Sequence, residues 1–359
     1  MAVHDLMRVL VIDDSAFSRQ TITRMLEASP LVEVVGIARD GEEALRRSLE
    51  LQPDLITLDL EMPRMDGFTF LRLLMARRPT PVIVVSSRAG EADVFQALEL
   101  GAADFVAKPG DRATLALEGI QDELIRKVHA SREVRIDKVS ERIIAGTSAA
   151  PAISAASESG WPSVVAIGSS TGGPAALMQI FSAFSRVPEC SFLVAQHMPS
   201  GFTAGFASRI DRNTSFAAKE AADGDTLVSG QILIAPGGTH LELVESGGQV
   251  VVQLCREDRG DRYSPSVDRL FASAAKTVGE DLLGIVLTGM GDDGARGART
   301  VKDAGGFVIA ESEESAVIFG MPKQAIRSGA VDLVLPLGEI PTAIQSGLQH
   351  GKVHRGDSQ

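Results

Sequence analysis

The chain has 359 residues, 44% hydrophobic, 23% charged and 4% aromatic, with a net charge of −12. At roughly 100–200 residues per domain that length points to two domains or three small ones, and no apolar run approaches the roughly 18 residues of a membrane helix. Segments 1–126, 127–160 and 161–359 carry −7, +1 and −6; none is a basic module that would neutralise nucleic-acid phosphates, so neither nucleic acid nor membrane insertion is expected.

The N-terminus meets Asp5, Asp13 and Asp14, with no basic patch leading into an apolar stretch. A secretory signal is therefore not expected, and a cytoplasmic location is. From there, short apolar runs at 8–12, 32–36, 54–58, 81–85 and 104–107 alternate with amphipathic stretches, predicting a parallel, doubly wound α/β sheet. In such sheets ligands bind beyond the carboxyl ends of the strands. Asp13 and Asp14 end the first predicted strand, Asp59 the third, Ser86 the fourth and Lys108 the fifth. Three carboxylates at one edge repel each other unless a hard cation such as Mg²⁺ neutralises them, and a lysine and a hydroxyl opposite suit a phosphoryl group.

The motifs VIDDS, LDLEMPRMDG, VVSS and AKP make residues 7–126 resemble the receiver domain of bacterial response regulators. The resemblance implies that Asp59 accepts a phosphoryl group, that Asp13, Asp14 and Asp59 hold Mg²⁺, that Ser86 is the switch hydroxyl and that Lys108 pairs with the phosphoryl oxygens. Phe105 falls at the family's switch aromatic, usually Tyr.

Beyond the receiver, Leu117, Ile120, Leu124 and Val128 keep helical spacing, predicting a helix that runs out of the first domain. Residues 145–160 are Ala, Ser, Gly, Thr or Pro at fourteen of sixteen positions, a composition that reads as a flexible linker. Hence 127–160 is expected to be helix extension and linker, 161–350 a second domain and 351–359 a disordered tail.

In the second domain, apolar runs at 163–167, 191–196, 231–235, 282–288, 307–310 and 331–335 predict buried strands, and 240–254 an antiparallel hairpin around Gly247 and Gly248. The two cysteines, Cys190 and Cys255, are too few for a disulfide framework and read as buried small hydrophobes. The first run leads into Gly168-Ser169-Ser170-Thr171-Gly172-Gly173, where Gly168, Ser170 and Gly172 match G-x-S-x-G. A serine nucleophile there needs a base and a group that orients the base. His197 directly follows a buried strand and is preferred over His240, which opens the hairpin. Either Asp292 or Asp293, beyond the 282–288 run, suits the third role. Asp293 stands nearer the head of a helix expected from about Ala295, where backbone donors would hold its carboxylate ionised. The order Ser, His, Asp differs from that of α/β-hydrolases.

GSSTGG, AQHMP, APGGTH, SPSVDRLF, LTGMGDDGA and FGMP, behind a receiver, resemble the CheB family of chemotaxis protein-glutamate methylesterases. That resemblance implies Ser170 as nucleophile, His197 as base and acid, Asp293 as its orienting carboxylate, and the Met290 amide and Thr171 around the oxyanion and substrate. It also implies hydrolysis of glutamyl methyl esters on chemoreceptor cytoplasmic helices, deamidation of particular receptor glutamines, a CheA-type histidine kinase as phosphodonor, and a receiver that restrains the esterase until phosphorylated. No cofactor is expected for the esterase, and with no heptad or repeat a monomer is expected. Two competing readings are a phosphorylation-dependent adaptor without catalysis and a nucleotide-binding effector built on the Gly172-Gly173 turn.

Overall fold

The alternating pattern folds, in a computed structural model, into two α/β units, residues 1–149 and 150–359. The structure describes residues 6–87, 91–108, 120–139, 163–258 and 260–346; the linker expected at 145–160 and the tail 351–359 lie outside them, as does Leu117.

In the first unit β1 (Met7–Ile12), β2 (Val32–Ala38), β3 (Leu55–Leu58), β4 (Val82–Ser87) and β5 (Asp104–Lys108) form a parallel sheet in the order β2-β1-β3-β4-β5. The helices are α1 (Ala16–Glu27), α2 (Gly41–Leu51), α3 (Gly67–Arg77), α4 (Glu91–Glu99) and α5 (Gln121–Ala130). Short polar caps start three of them: Ser15, Asp40 and Asp66 accept the amides of Ser18, Glu43 and Thr69, satisfying donors that a helix start leaves free. In α5, Leu124 and Val128 join Val9, Val11, Ile22 and Leu26 in one core. Chain order reverses between β1 and β3, the topological switch point where a ligand crevice opens.

The second unit carries a seven-stranded parallel sheet. Its strands are β6 (Val164–Ser169), β7 (Ser191–Gln196), β8 (Ala217–Glu220), β9 (Gln231–Ile234), β12 (Leu282–Val286), β13 (Phe307–Glu311) and β14 (Leu333–Leu335), in the order β14-β13-β12-β6-β7-β9-β8. Between β9 and β12, β10 (Thr239–Ser246) and β11 (Gln249–Arg256) pair antiparallel. Gly247 and Gly248 close that hairpin at φ 59° and 79°, which only glycine adopts without strain.

The helices here are α6 (Gly173–Ser182), α7 (Thr203–Asn213), α8 (Val267–Val278), α9 (Ala295–Asp303), α10 (Met321–Arg327) and α11 (Ile340–Gln345). Strand β8 was not foreseen: its sequence AAKE lacks an apolar run because it is an edge strand with no fully buried residue. Cys190 is buried, and burial pushes its thiol up to about 12, so it is inert at neutral pH. Cys255 departs from expectation in being half-buried, on β11. Here too the chain reverses at the centre, between β6 and β12.

Candidate functional site

Each unit gathers polar residues at its own switch point. In the first, one carboxylate oxygen from each of Asp13, Asp14 and Asp59 falls within 4.8 Å of the others. Asp13 and Asp59 are buried, Asp14 exposed. Lys108, from the end of β5, donates to Asp13 Oδ2 at 2.8 Å and closely to Asp59 Oδ2. Hard oxygen donors at this spacing suit a small divalent cation.

Ser86 is buried at the end of β4. Phe105 is also buried, with Lys127 Nζ 5.2 Å from its ring centre and bonded to Asp104 at 2.8 Å. Without a hydroxyl, this aromatic has no polar atom of its own to carry outward.

Burial pushes the Asp13 carboxyl above its ordinary range; Lys108 offsets this in part and the charge of Asp59 adds to it. A raised carboxyl stabilises the fold below its unfolded value and loses that contribution as pH climbs through the folded value. Asp13→Asn is expected to remove the rise in melting temperature that Mg²⁺ gives the receiver, because it takes away a carboxylate from the three oxygen donors gathered there. Calorimetry with and without Mg²⁺ checks this; a rise preserved in the variant would overturn it.

In the second unit Ser170 directly follows β6. Its amide donates to the Thr288 carbonyl at 3.0 Å, and its carbonyl accepts from Gly173 N at 2.8 Å and Gln196 Nε2 at 2.9 Å. Gln196 also donates to the His197 carbonyl at 3.0 Å and accepts from Ser169 Oγ at 2.6 Å. It laces the ends of β6 and β7 together, so His197 follows Gln196 just as Ser170 follows its ladder partner Ser169. The His197 amide reaches back to the Ser169 carbonyl at 3.0 Å.

The turn after β12 passes directly over the serine. A Cβ on Gly289 would lie 2.7 Å from Ser170 Cβ, so only glycine permits this approach. Met290 follows in that turn, half-buried, and Thr171 is buried with its carbonyl bonded to Thr288 Oγ1 at 3.0 Å.

Asp293 is 3% exposed and five donors converge on it. Oδ2 accepts from His197 Nε2 at 2.8 Å and Val267 N at 2.7 Å. Oδ1 accepts from Asp268 N at 2.9 Å, Ser266 Oγ at 3.1 Å and Gly294 N at 3.1 Å. Burial alone would raise this carboxyl, but the His197 bond and the backbone amides outweigh it and hold it below the ordinary carboxylate range.

The source of these donors differs from the sequence expectation. Helix α9 does begin at Ala295, yet apart from His197 and Gly294 the donors come from the start of α8, about two dozen residues upstream. Asp292 faces outward, bonded to Arg262 and to the Tyr263 hydroxyl, each at 3.2 Å.

Sequence reasoning also passed over Tyr263, the chain's one tyrosine. Its ring stacks on His197 at 4.7 Å and 9°, and its hydroxyl occupies the space a side chain at Gly291 (φ 96°) would need. Gln196 was passed over as well, and the signal that could have found it is a lone amide closing an apolar strand. His240 does not join His197: it is fully buried, paired through Nε2 with Asp261 at 2.8 Å. Among the described residues no helix is long and apolar enough to cross a membrane.

Comparison with known proteins matches residues 165–344 to the family model described as CheB methylesterase, and residues 9–118 to the response regulator receiver domain. A protein-glutamate methylesterase/protein-glutamine glutaminase of Myxococcus xanthus is 49% identical over 345 residues, spanning 96% of this chain and 98% of that one. A counterpart of the same description from Geobacter sulfurreducens is 48% identical over 94% and 96%. The crystal structure of the Thermotoga maritima CheB methylesterase catalytic domain superposes with a TM-score of 0.50 at 41% identity, covering 52% of this chain and 98% of that one.

Proposed function

Because the chain belongs to the CheB methylesterase family and carries a receiver domain ahead of the esterase, we propose that Ser170, His197 and Asp293 form its hydrolytic centre. The chain is a protein-glutamate methylesterase and protein-glutamine glutaminase under phosphorylation control in chemotaxis. Its substrates are glutamyl methyl esters on chemoreceptor cytoplasmic domains, which places the reaction in the cytoplasm. The observation that carries the reading is the His197–Asp293 bond, formed between strand ends on either side of Ser170. We assign residues 7–126 to the receiver, 127–160 to helix extension and linker, 161–350 to the esterase and 351–359 to a tail.

With Nε2–H donated to Asp293, His197 Nδ1 carries the lone pair and is the nitrogen that takes the Ser170 proton. Ser170 Oγ attacks the ester carbonyl, and the charge on the carbonyl oxygen is met by the Met290 amide beside Thr171. The tetrahedral intermediate collapses as His197 protonates the departing methoxide oxygen, which leaves as methanol, or the amide nitrogen of a glutamine, which leaves as ammonia. Water, deprotonated by His197, then attacks the acyl carbonyl, and as the bond to Ser170 breaks His197 returns the proton to Oγ, freeing glutamate and the serine hydroxyl. Asp293 stays ionised throughout and favours the imidazolium formed at each transfer.

In the receiver, an Asp59 oxygen attacks the phosphorus of a phosphohistidine on a CheA-type kinase, and the P–N bond breaks. Asp13, Asp14 and Asp59 would hold Mg²⁺, which when bound offsets the negative charge gathered there. Lys108 pairs with the incoming phosphoryl oxygens, Ser86 is the hydroxyl that follows them, and Phe105 is the aromatic of the switch. By the family resemblance, phosphorylation relieves a restraint that the receiver places on the esterase.

Methanol release from methylated receptor membranes tests the whole reading, with and without a small phosphodonor and Mg²⁺. Wild type is expected to release methanol and to respond to phosphodonor. Asp59→Asn should keep basal release and lose the response, and a chain begun at residue 150 should exceed the unphosphorylated full chain. No release from any receptor preparation, with Asp59 still accepting phosphate, would replace the esterase by the adaptor reading.

A further inference from the structure

We propose that His240 and Asp261 are a positioning pair for Asp293, acting through the residue that caps α8; the proposal rests on the hydrolytic centre assigned above. His240 lies on β10 with no exposed surface, and both its ring nitrogens are engaged by protein. Nδ1 accepts the Ser266 amide at 3.2 Å. An amide can only donate, so Nδ1 bears the lone pair and the proton sits on Nε2, facing Asp261 Oδ2 at 2.8 Å. Asp261 is fixed in turn by the Asp258 amide at 2.8 Å and by Arg269 at 3.5 Å.

The reason for a buried imidazole here lies in the cap. Ser266 is the N-cap of α8, and its hydroxyl accepts the Arg269 amide at 3.4 Å. In a capping box the residue three further on returns a carboxylate or amide oxygen to the N-cap amide. In α8 that residue is Arg269, which has no acceptor, and its guanidinium instead pairs with Glu242 at 2.7 Å. The N-cap amide would be stranded, and His240 Nδ1 takes the place of the missing acceptor.

That amide belongs to the residue whose hydroxyl meets Asp293 at 3.1 Å, and the next two amides meet it at 2.7 and 2.9 Å. Three of the five donors on Asp293 therefore issue from a three-residue run whose first member is held by His240. Two histidine–aspartate pairs stand back to back across Ser266. One moves protons, while the other fixes the socket in which the first pair's carboxylate sits.

The test is kcat and KM for methanol release by the full chain, per active site titrated with a serine-directed phosphonate. His240→Leu removes the acceptor and is expected to lower kcat by about 10- to 100-fold through misplacement of Asp293 and His197, with KM within about twofold. His240→Asn sets an amide oxygen where Nδ1 stood and should recover kcat to within about threefold of wild type. His240→Gln reaches towards Asp261 but leaves the Nδ1 position without an acceptor, so it should behave like leucine.

In an Asp293→Asn background, His240→Leu should add almost nothing, because the group it acts through is already lost. Per-site kcat within twofold of wild type in both the leucine and glutamine variants would overturn the proposal, as would an undiminished loss in the Asp293→Asn background. If His240→Leu fails to fold, the asparagine–glutamine contrast decides. Failure of the hydrolytic reading is separate: it would show as hydrolysis surviving Ser170→Ala.

Discussion

Ser170→Ala is expected to lower kcat for ester hydrolysis by about 10⁵- to 10⁶-fold while leaving the melting temperature within a degree or two of wild type, as loss of a serine nucleophile does in other hydrolases. The two halves of the expectation have separate physical origins. Everything that fixes this position in the fold runs through its backbone, whose amide and carbonyl are bonded to Thr288, Gly173 and Gln196. The side chain can be shortened by one oxygen without disturbing that frame. The chemistry has no such reserve, since a water attacking in place of Oγ must be ordered anew at each turnover. Methanol release and a thermal melt on one preparation suffice; a drop below a hundredfold would remove Ser170 from the nucleophile's role.

The second large effect is expected from Asp293→Asn: kcat down by about 10³- to 10⁴-fold, with substrate affinity little changed. The variant keeps the shape but presents an NH₂ group to donors arranged for a carboxylate. One carboxamide oxygen can still accept; the nitrogen faces either the His197 Nε2–H or an amide of the α8 start. If it faces His197, the proton is forced to Nδ1 and the base is blocked. In either case the negative charge that favours the imidazolium is gone. Combined with Ser170→Ala the losses should not multiply, because the residues act as one unit.

Stability carries a second signature. The Asp293 carboxyl is held low, so its contribution is present above its unfolded value and fades as pH falls through the lower, folded one. Wild type should therefore lead the variant in urea unfolding at pH 7 and lose that lead below about pH 4. A constant gap down to strong acid would mean that the ionised Asp293 adds nothing to the fold.

Much of the fold was legible because strands buried on both faces must be written as continuous apolar runs. Four of the five runs in the first unit ended in the polar residue that the structure places at the sheet edge. The residues proposed as the triad stood out for the same reason: Ser170 and His197 follow such runs directly, and Asp293 follows the third after a short turn. Strand β8 hid because an edge strand with an open face needs no apolar run. The groups that steady the triad hid for another reason. Ser266 and His240 act through a helix cap and a backbone amide, pairings between positions 26 apart that leave no local pattern. Tyr263 packs by shape into room left at Gly291, and neither residue announces the other in sequence.

The stacking of Tyr263 on His197 makes the molecule its own spectroscopic instrument. A chain with a single phenol can be labelled at one site by growth on fluorotyrosine, and the one resulting resonance sits against the imidazole proposed as the base. Ring-current and charge changes in that imidazole act on the label at van der Waals range. Titration of the general base, formation of the acyl-enzyme and the response of the esterase to phosphorylation of the receiver thus become three readings of one line, taken without altering any residue that does the work.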